Sequence, residues 1–207
     1  MGKRRPSDPP AGEAAPRGRH GRPGSPRARL FVALDLPEVA RRQLTVWRDF
    51  ALDGRDDLRP VPDVALHVTL VFLGYRPEKE IHEIGRTVAG AVEPLPAPTM
   101  WATGVKPVPP RGPRLFAVDL EDESGHATAV AEACAMALAG GGFHEPENRP
   151  FWPHITFARV KRDRRAEPIE AVPDGEPFEA TQVTLYRSHL SPRGARYEAL
   201  EVFELAS

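Results

Sequence analysis

Two short runs of the same design constrain this chain more than any other feature. One is Leu66-His67-Val68-Thr69-Leu70-Val71-Phe72-Leu73-Gly74, and the other is Trp152-Pro153-His154-Ile155-Thr156-Phe157-Ala158-Arg159-Val160. Both are apolar, β-branched and aromatic, and both read as strands. Side chains alternate across a strand, so His67 and Thr69 share one face while Val68, Leu70 and Phe72 share the other. The second run repeats this, with His154 and Thr156 on one face and Ile155 and Phe157 on the other. An imidazole beside a hydroxyl, offered twice on rigid strands, is material for acid–base chemistry on a phosphate.

The pattern His-x-Thr is weak alone, because 7 histidines among 207 residues supply roughly 0.3 copies by chance. A third copy, His126-Ala127-Thr128, opens an alanine-rich helical pattern in which residues two apart do not face each other. It is a decoy. The weight comes from the frame around the other two. Arg29-Leu30-Phe31-Val32-Ala33-Leu34-Asp35-Leu36 is echoed by Arg114-Leu115-Phe116-Ala117-Val118-Asp119-Leu120, with 38 positions from Arg29 to His67 and 40 from Arg114 to His154. Each half reads as strand, helix, then a strand bearing His-x-Thr. Two such lobes about a pseudo-twofold axis would bring both His-x-Thr faces into one cleft. A single strand histidine reads first as a hydrogen-bonded core or edge residue, and the repeated frame reverses that preference. A two-histidine metal site is the next alternative. Neither strand carries a carboxylate or cysteine on its histidine face to complete one, so no metal or other cofactor is expected.

The longest apolar runs are strand-length, so nothing in the sequence spans a membrane. The basic N-terminus lacks the apolar segment of a secretion signal, and the one cysteine, Cys134, rules out an internal disulfide framework. Cys134 falls on a predicted apolar helix face as a small core residue. A cytoplasmic address is expected. Residues 1–28 hold six prolines, five glycines and a charge of +5, which leaves −6 for the remainder. Such a tail cannot bury enough surface to offset its ordering entropy and is expected to be disordered. An acidic body does not suit a general nucleic-acid binder, so any polyanion contact must come from local patches.

Order is expected from Arg29, with one domain over 29–207. Leu30–Leu36 is a strand. Ala40, Leu44, Trp47 and Ala51 make the inner stripe of a helix, widened by Val46 and Phe50, and residues 55–65 form a loop. A second helix after Pro77 turns Ile81, Ile84, Val88 and Val92 inward and leaves His82 in solvent. A strand over 99–105 is followed by the cationic loop 106–114 and the strand 115–120. Helix three runs from His126 to Leu138 with Ala127, Val130, Ala131, Cys134 and Leu138 on one face, stopped by Gly140-Gly141-Gly142. Residues 159–165 pack five cations into seven positions. Strands over 178–190 and 197–205 close the fold as a hairpin.

On these residues the chain resembles the 2H phosphoesterases, most closely the RNA 2′,3′-cyclic phosphodiesterase branch once described as 2′-5′ RNA ligases. The opening strand 29–37, Leu66–Leu70 with Phe72-Leu73-Gly74, Pro153–Arg159, and Ser188-His189-Leu190 with Gly194 and Tyr197 carry the resemblance, which covers about 29–205. It implies a bilobal α+β fold, two antiparallel sheets lining a central cleft with helices outside, and no metal. It also implies hydrolysis of a terminal 2′,3′-cyclic phosphate to a 2′-phosphomonoester, with weak 2′-5′ ligation. His67 would be the acid and His154 the base, although the residues alone do not separate them. Thr69 and Thr156 would hold phosphate oxygens. Arg159 stands where the family places a phosphate-contacting arginine, yet it lies five positions from His154, on the opposite face of a regular strand; only a bulge or strand end would turn it inward.

Partners would be RNA ends or nucleotides carrying a cyclic phosphate, met by a monomer with no membrane and no obligate protein partner. The alternatives are a non-catalytic RNA-end or nucleotide-binding module, and a phosphodiesterase for small cyclic nucleotides or 2′-5′ oligonucleotides. A binder has no need of a paired acid and base, so intact His and Thr in both motifs favour the enzyme.

Overall fold

The computed structural model describes residues 25–146, 149–191 and 194–206. The expected tail therefore lies almost wholly outside the described residues. The chain runs β1 (Arg27–Asp35), α1 (Glu38–Ala51), β2 (Leu58–Pro60), β3 (His67–Pro77), α2 (Ile81–Val92) and β4 (Thr99–Val108). It continues through β5 (Leu115–Glu121), α3 (His126–Gly140), β6 (His154–Val160), β7 (Phe178–Glu179), β8 (Gln182–Ser191) and β9 (Gly194–Glu204). The strands follow the order β7-β4-β5-β6-β3-β1-β8-β9, with β2 alongside β6, and every one of these pairings is antiparallel. The fold is thus mixed α and β around an antiparallel sheet. Its middle is narrow: β3 and β6, the two histidine strands, touch through one residue pair, Val68 opposite Ile155.

The alternation that defines the strands also builds the core. Val32, Val68, Phe116, Ile155 and Phe157 are each at most 2% exposed and belong to one contiguous apolar cluster with Cys134 and the inner faces of the helices. α2 packs on α3, and α3 lies over β3. Leu44 and Trp47 of α1 face the other half, where Trp47 meets Phe157 edge-on at 4.9 Å. Cys134 is fully buried, and burial pushes its thiol up to about 12, as a core residue requires. His82 is exposed.

Several boundaries differ from expectation. β1 starts at Arg27, three residues before the expected strand, and Ala28 is 1% exposed. Residues 58–60, expected as loop, form β2 because β6 offers them a partner. Lys106, Pro107 and Val108 extend β4 by pairing with β5, which shortens the cationic loop. The long strand expected over 178–190 is broken into β7 and β8. Val46 and Phe50 are 72% and 77% exposed, while Arg48 is 5% exposed. Arg48 takes the inner position because its guanidinium can donate to the Val61 carbonyl at 2.5 Å and reach Asp63 at 2.9 Å.

Candidate active site

Both histidines stand at the first residue of their strands, on the face opposite Val68 and Ile155. Extending that register sets His67 across from Thr156 and Thr69 across from His154. The sheet thereby gathers all four residues at its waist. His67 Nδ1 lies 2.8 Å from the Ala65 carbonyl, and His154 Nδ1 lies 2.8 Å from the Trp152 carbonyl. A carbonyl only accepts, so Nδ1 carries the hydrogen in both rings and Nε2 is the basic atom of each neutral imidazole. The two rings are thus held in the same tautomer by the same device, a carbonyl two residues back. The Thr69 hydroxyl donates to His67 Nε2 at 3.0 Å.

The strands do not keep simple alternation beyond the threonines. Ala33 pairs with Thr69 and Val32 with Val71, which leaves Leu70 as an extra residue in β3. Ala117 pairs with Thr156 and Phe116 with Ala158, which leaves Phe157 as the extra residue in β6. These are β-bulges, each three residues after its histidine, and each reverses the parity of the residues beyond it. Arg159 is consequently exposed while Ala158 is fully buried, and its charge acts on His67. The opposite-face placement that regular alternation gives it is therefore corrected. The twin bulge does the same to Phe72, expected on the Val68 face; it is 54% exposed, and its ring lies 6.1 Å from that of Phe31.

Around His67 the walls are aromatic. Phe31 and Tyr197 lie 4.9 and 5.3 Å from the imidazole, centre to centre, and Tyr186 stacks on Phe31 at 5.2 Å. Burial therefore pushes the His67 pKa down to about 4, the Ala65 carbonyl opposes this, and the charges of His154 and Arg159 lower it further. Asp35, opposite His67 in register, accepts hydrogen bonds from Thr184 at 2.6 Å and Tyr186 at 2.7 Å. Burial and this carboxylate raise the Tyr186 phenol above its ordinary range.

His154 is set differently. Trp152 stacks on it at 4.1 Å with 14° between the planes, and the indole N–H donates to Asp119 at 2.5 Å. Lys106 reaches the other Asp119 oxygen at 2.5 Å and lies 5.4 Å from the indole centre. Burial lowers the His154 pKa, while the Trp152 carbonyl and the Asp119 charge raise it. Asp119 faces His154 as Asp35 faces His67. Trp152, Asp119, Lys106, Phe31 and Tyr186 escaped the sequence reading as site residues. The repeated aspartate at the end of each opening strand was the available signal. By contrast, His126 opens α3, and the Asp122 carboxylate caps that helix by accepting from the Thr128 backbone N–H and hydroxyl, so the decoy motif stays outside the site.

A mixed fold with an antiparallel sheet, two histidines in one tautomer and a flanking arginine is an arrangement suited to handling a phosphoester. The chain belongs to the 2'-5' RNA ligase superfamily, whose sequence model matches residues 36–191. The RNA 2′,3′-cyclic phosphodiesterase of Thermus thermophilus is 34% identical over 190 residues, covering 86% of this chain and 90% of that protein. The Escherichia coli protein of the same name is 31% identical, with 86% and 96% covered. Among solved structures, a Thermus thermophilus protein superposes with a TM-score of 0.74 at 30% identity over 86% of this chain and 97% of its own. Escherichia coli LigT bound to 3′-AMP gives 0.73 at 26% identity over 88% and 100%.

Proposed function

We propose that this protein is an RNA 2′,3′-cyclic phosphodiesterase that yields a 2′-phosphomonoester by two-histidine acid–base catalysis. The observation that carries this is the matched presentation of His67 and His154, each fixed through Nδ1 and each offering Nε2 on one face of the sheet waist. His154 Nε2 takes a proton from water as the oxygen attacks phosphorus. The P–O3′ bond breaks, and His67 Nε2–H protonates the departing 3′ oxygen. Solvent exchange returns each proton. A protonated His67 no longer accepts from Thr69, which frees the Thr69 hydroxyl to donate to a non-bridging oxygen while the Nε2–H faces the leaving oxygen. Thr156 serves the second non-bridging oxygen, and the Arg159 guanidinium offsets the charge on the phosphoryl group. With a 5′-hydroxyl in place of water as the nucleophile, the same opening of the P–O3′ bond joins ends weakly through a 2′-5′ bond.

Strand order supports a duplicated, bilobal arrangement. β4, which follows the first histidine strand, pairs with the opening strand of the second half; β8, which follows the second histidine strand, pairs with that of the first. The sheet reads the same from either side of the β3–β6 junction.

The test is an oligonucleotide ending in a 2′,3′-cyclic phosphate, followed to its monoester. His67→Ala and His154→Ala should each lower the rate roughly 10²–10⁴-fold. Turnover retained by the double variant, or a 3′-phosphate product, overturns the assignment.

A further inference from the structure

We infer that a basic groove beside the reactive cleft carries the RNA strand upstream of its reacting end, gripping phosphates without reading bases. This rests on the activity proposed above and names the part of the substrate which that site does not touch. The groove has a volume of about 1100 Å³ and is lined by Arg59, Arg114, Lys161, Arg162, Arg164 and Arg165, with Asp163 and Glu167 as its acidic members. Beyond residue 28 the chain carries 21 Lys/Arg against 27 Asp/Glu. Six cations facing two carboxylates is therefore a local inversion of an acidic body, the concentration a polyanion would select.

Its position gives the polarity of the bound strand. β6 leads from His154 to Val160, about 20 Å at 3.3 Å per residue, and Val160 already lines the groove. A strand whose 3′-terminal cyclic phosphate sits between the histidines thus reaches the groove a few nucleotides toward its 5′ side. The link between the two is a pair of arginines. Arg59 of β2 stands directly opposite Arg159 of β6, and both are exposed. The Arg59 guanidinium also extends to the start of β9, within 3.6 Å of where a Cβ on Gly194 would stand.

The far wall is a fixed turn. Lys161 is held through its N–H to Asp57 and its ammonium to the Asp56 carbonyl, both at 2.8 Å, which leaves Arg162 projecting with 96% of its side chain exposed. No aromatic side chain lines the groove among the described residues. With no aromatic platform for the bases, contact falls chiefly to the phosphate backbone.

The experiment compares an octauridylate ending in 2′,3′-cyclic phosphate with 2′,3′-cyclic UMP, reading the ratio of their kcat/KM values. The native protein should favour the octamer, with a preference that falls as salt rises by about 0.7 in logarithmic slope per phosphate held. Reversing charge with R162E, R164E and R165E together should lower the ratio at least tenfold, whereas the triple lysine replacement should largely keep it. An octamer no better than the mononucleotide, or a ratio indifferent to charge reversal, overturns the groove. So does a polyglutamate of equal charge that competes better than octauridylate, which would assign the patch to an acidic protein. If neither substrate turns over, it is the activity that fails. Fluorescence anisotropy of a labelled octauridylate then decides the groove alone, and affinity unchanged by charge reversal sinks it.

Discussion

The indole of Trp152 ties three charged or titratable groups into one object. It lies flat on the His154 imidazole, donates to Asp119 and sits beneath Lys106. Trp152 is thus a positioning residue: the ring fixes the tilt of the imidazole, and Asp119 fixes the ring. The carboxylate also favours the imidazolium form of His154 across the strand pair. Asp119→Asn keeps an oxygen for the indole N–H but removes the charge, so the His154 pKa should fall, read from its imidazole resonances on titration. A rise or no change would show that the carboxylate is only a strut. Trp152→Phe keeps a ring against the imidazole and loses the N–H; it should retain more kcat than Trp152→Ala, and equal losses would dismiss the stacking.

At the scale of elements, α1 matters as a clamp on the approach to β3. The buried Arg48 guanidinium donates to the Val61 carbonyl and reaches Asp63 in the connector that ends at His67. Arg48→Ala should destabilise the fold by about 2 kcal/mol, since a hydrogen bond from a charged donor is lost and a buried carbonyl is left unpaired. A urea midpoint unmoved by that change would place the connector's stability elsewhere. Arg48 also marks the limit of pattern reading, because a cation on an apolar stripe reads as a surface residue until its partners are known. The strands divide along the same line. His67, Thr69, His154 and Thr156 were legible because two-residue alternation depends on the strand alone. The bulges at Leu70 and Phe157 were not, since an extra residue exists only relative to the neighbouring strand's register. Their shared spacing from the histidines was nonetheless visible: Phe72 and Arg159 both stand five positions on. Reading the repeat as a rule for geometry would have placed both on the reactive face.

For the molecule as a whole, the partial burial of both histidines at the waist of the sheet sets the pH response. Burial lowers both imidazole pKa values, that of His67 to about 4 from 6.5. The free protein is competent when one imidazole carries a proton and the other does not, so kcat/KM should peak between two values that both lie below 6.5. A bound phosphate is anionic and favours the protonated ring, so the alkaline limb of kcat should lie at higher pH than that of kcat/KM. A kcat/KM profile still rising at pH 7.5 would refute this. The same burial acts on stability with a definite sign. His67 binds its proton more weakly folded than unfolded, so its contribution is complete above pH 6.5 and is lost as pH falls toward 4. The pH range that protonates the free site is therefore the range in which the fold loses stability. Substrate, by raising the pKa of the ring beside it, should flatten that loss, and thermal melts at pH 5 with and without a non-hydrolysable phosphate analogue should show a larger rise in Tm than at pH 7.5.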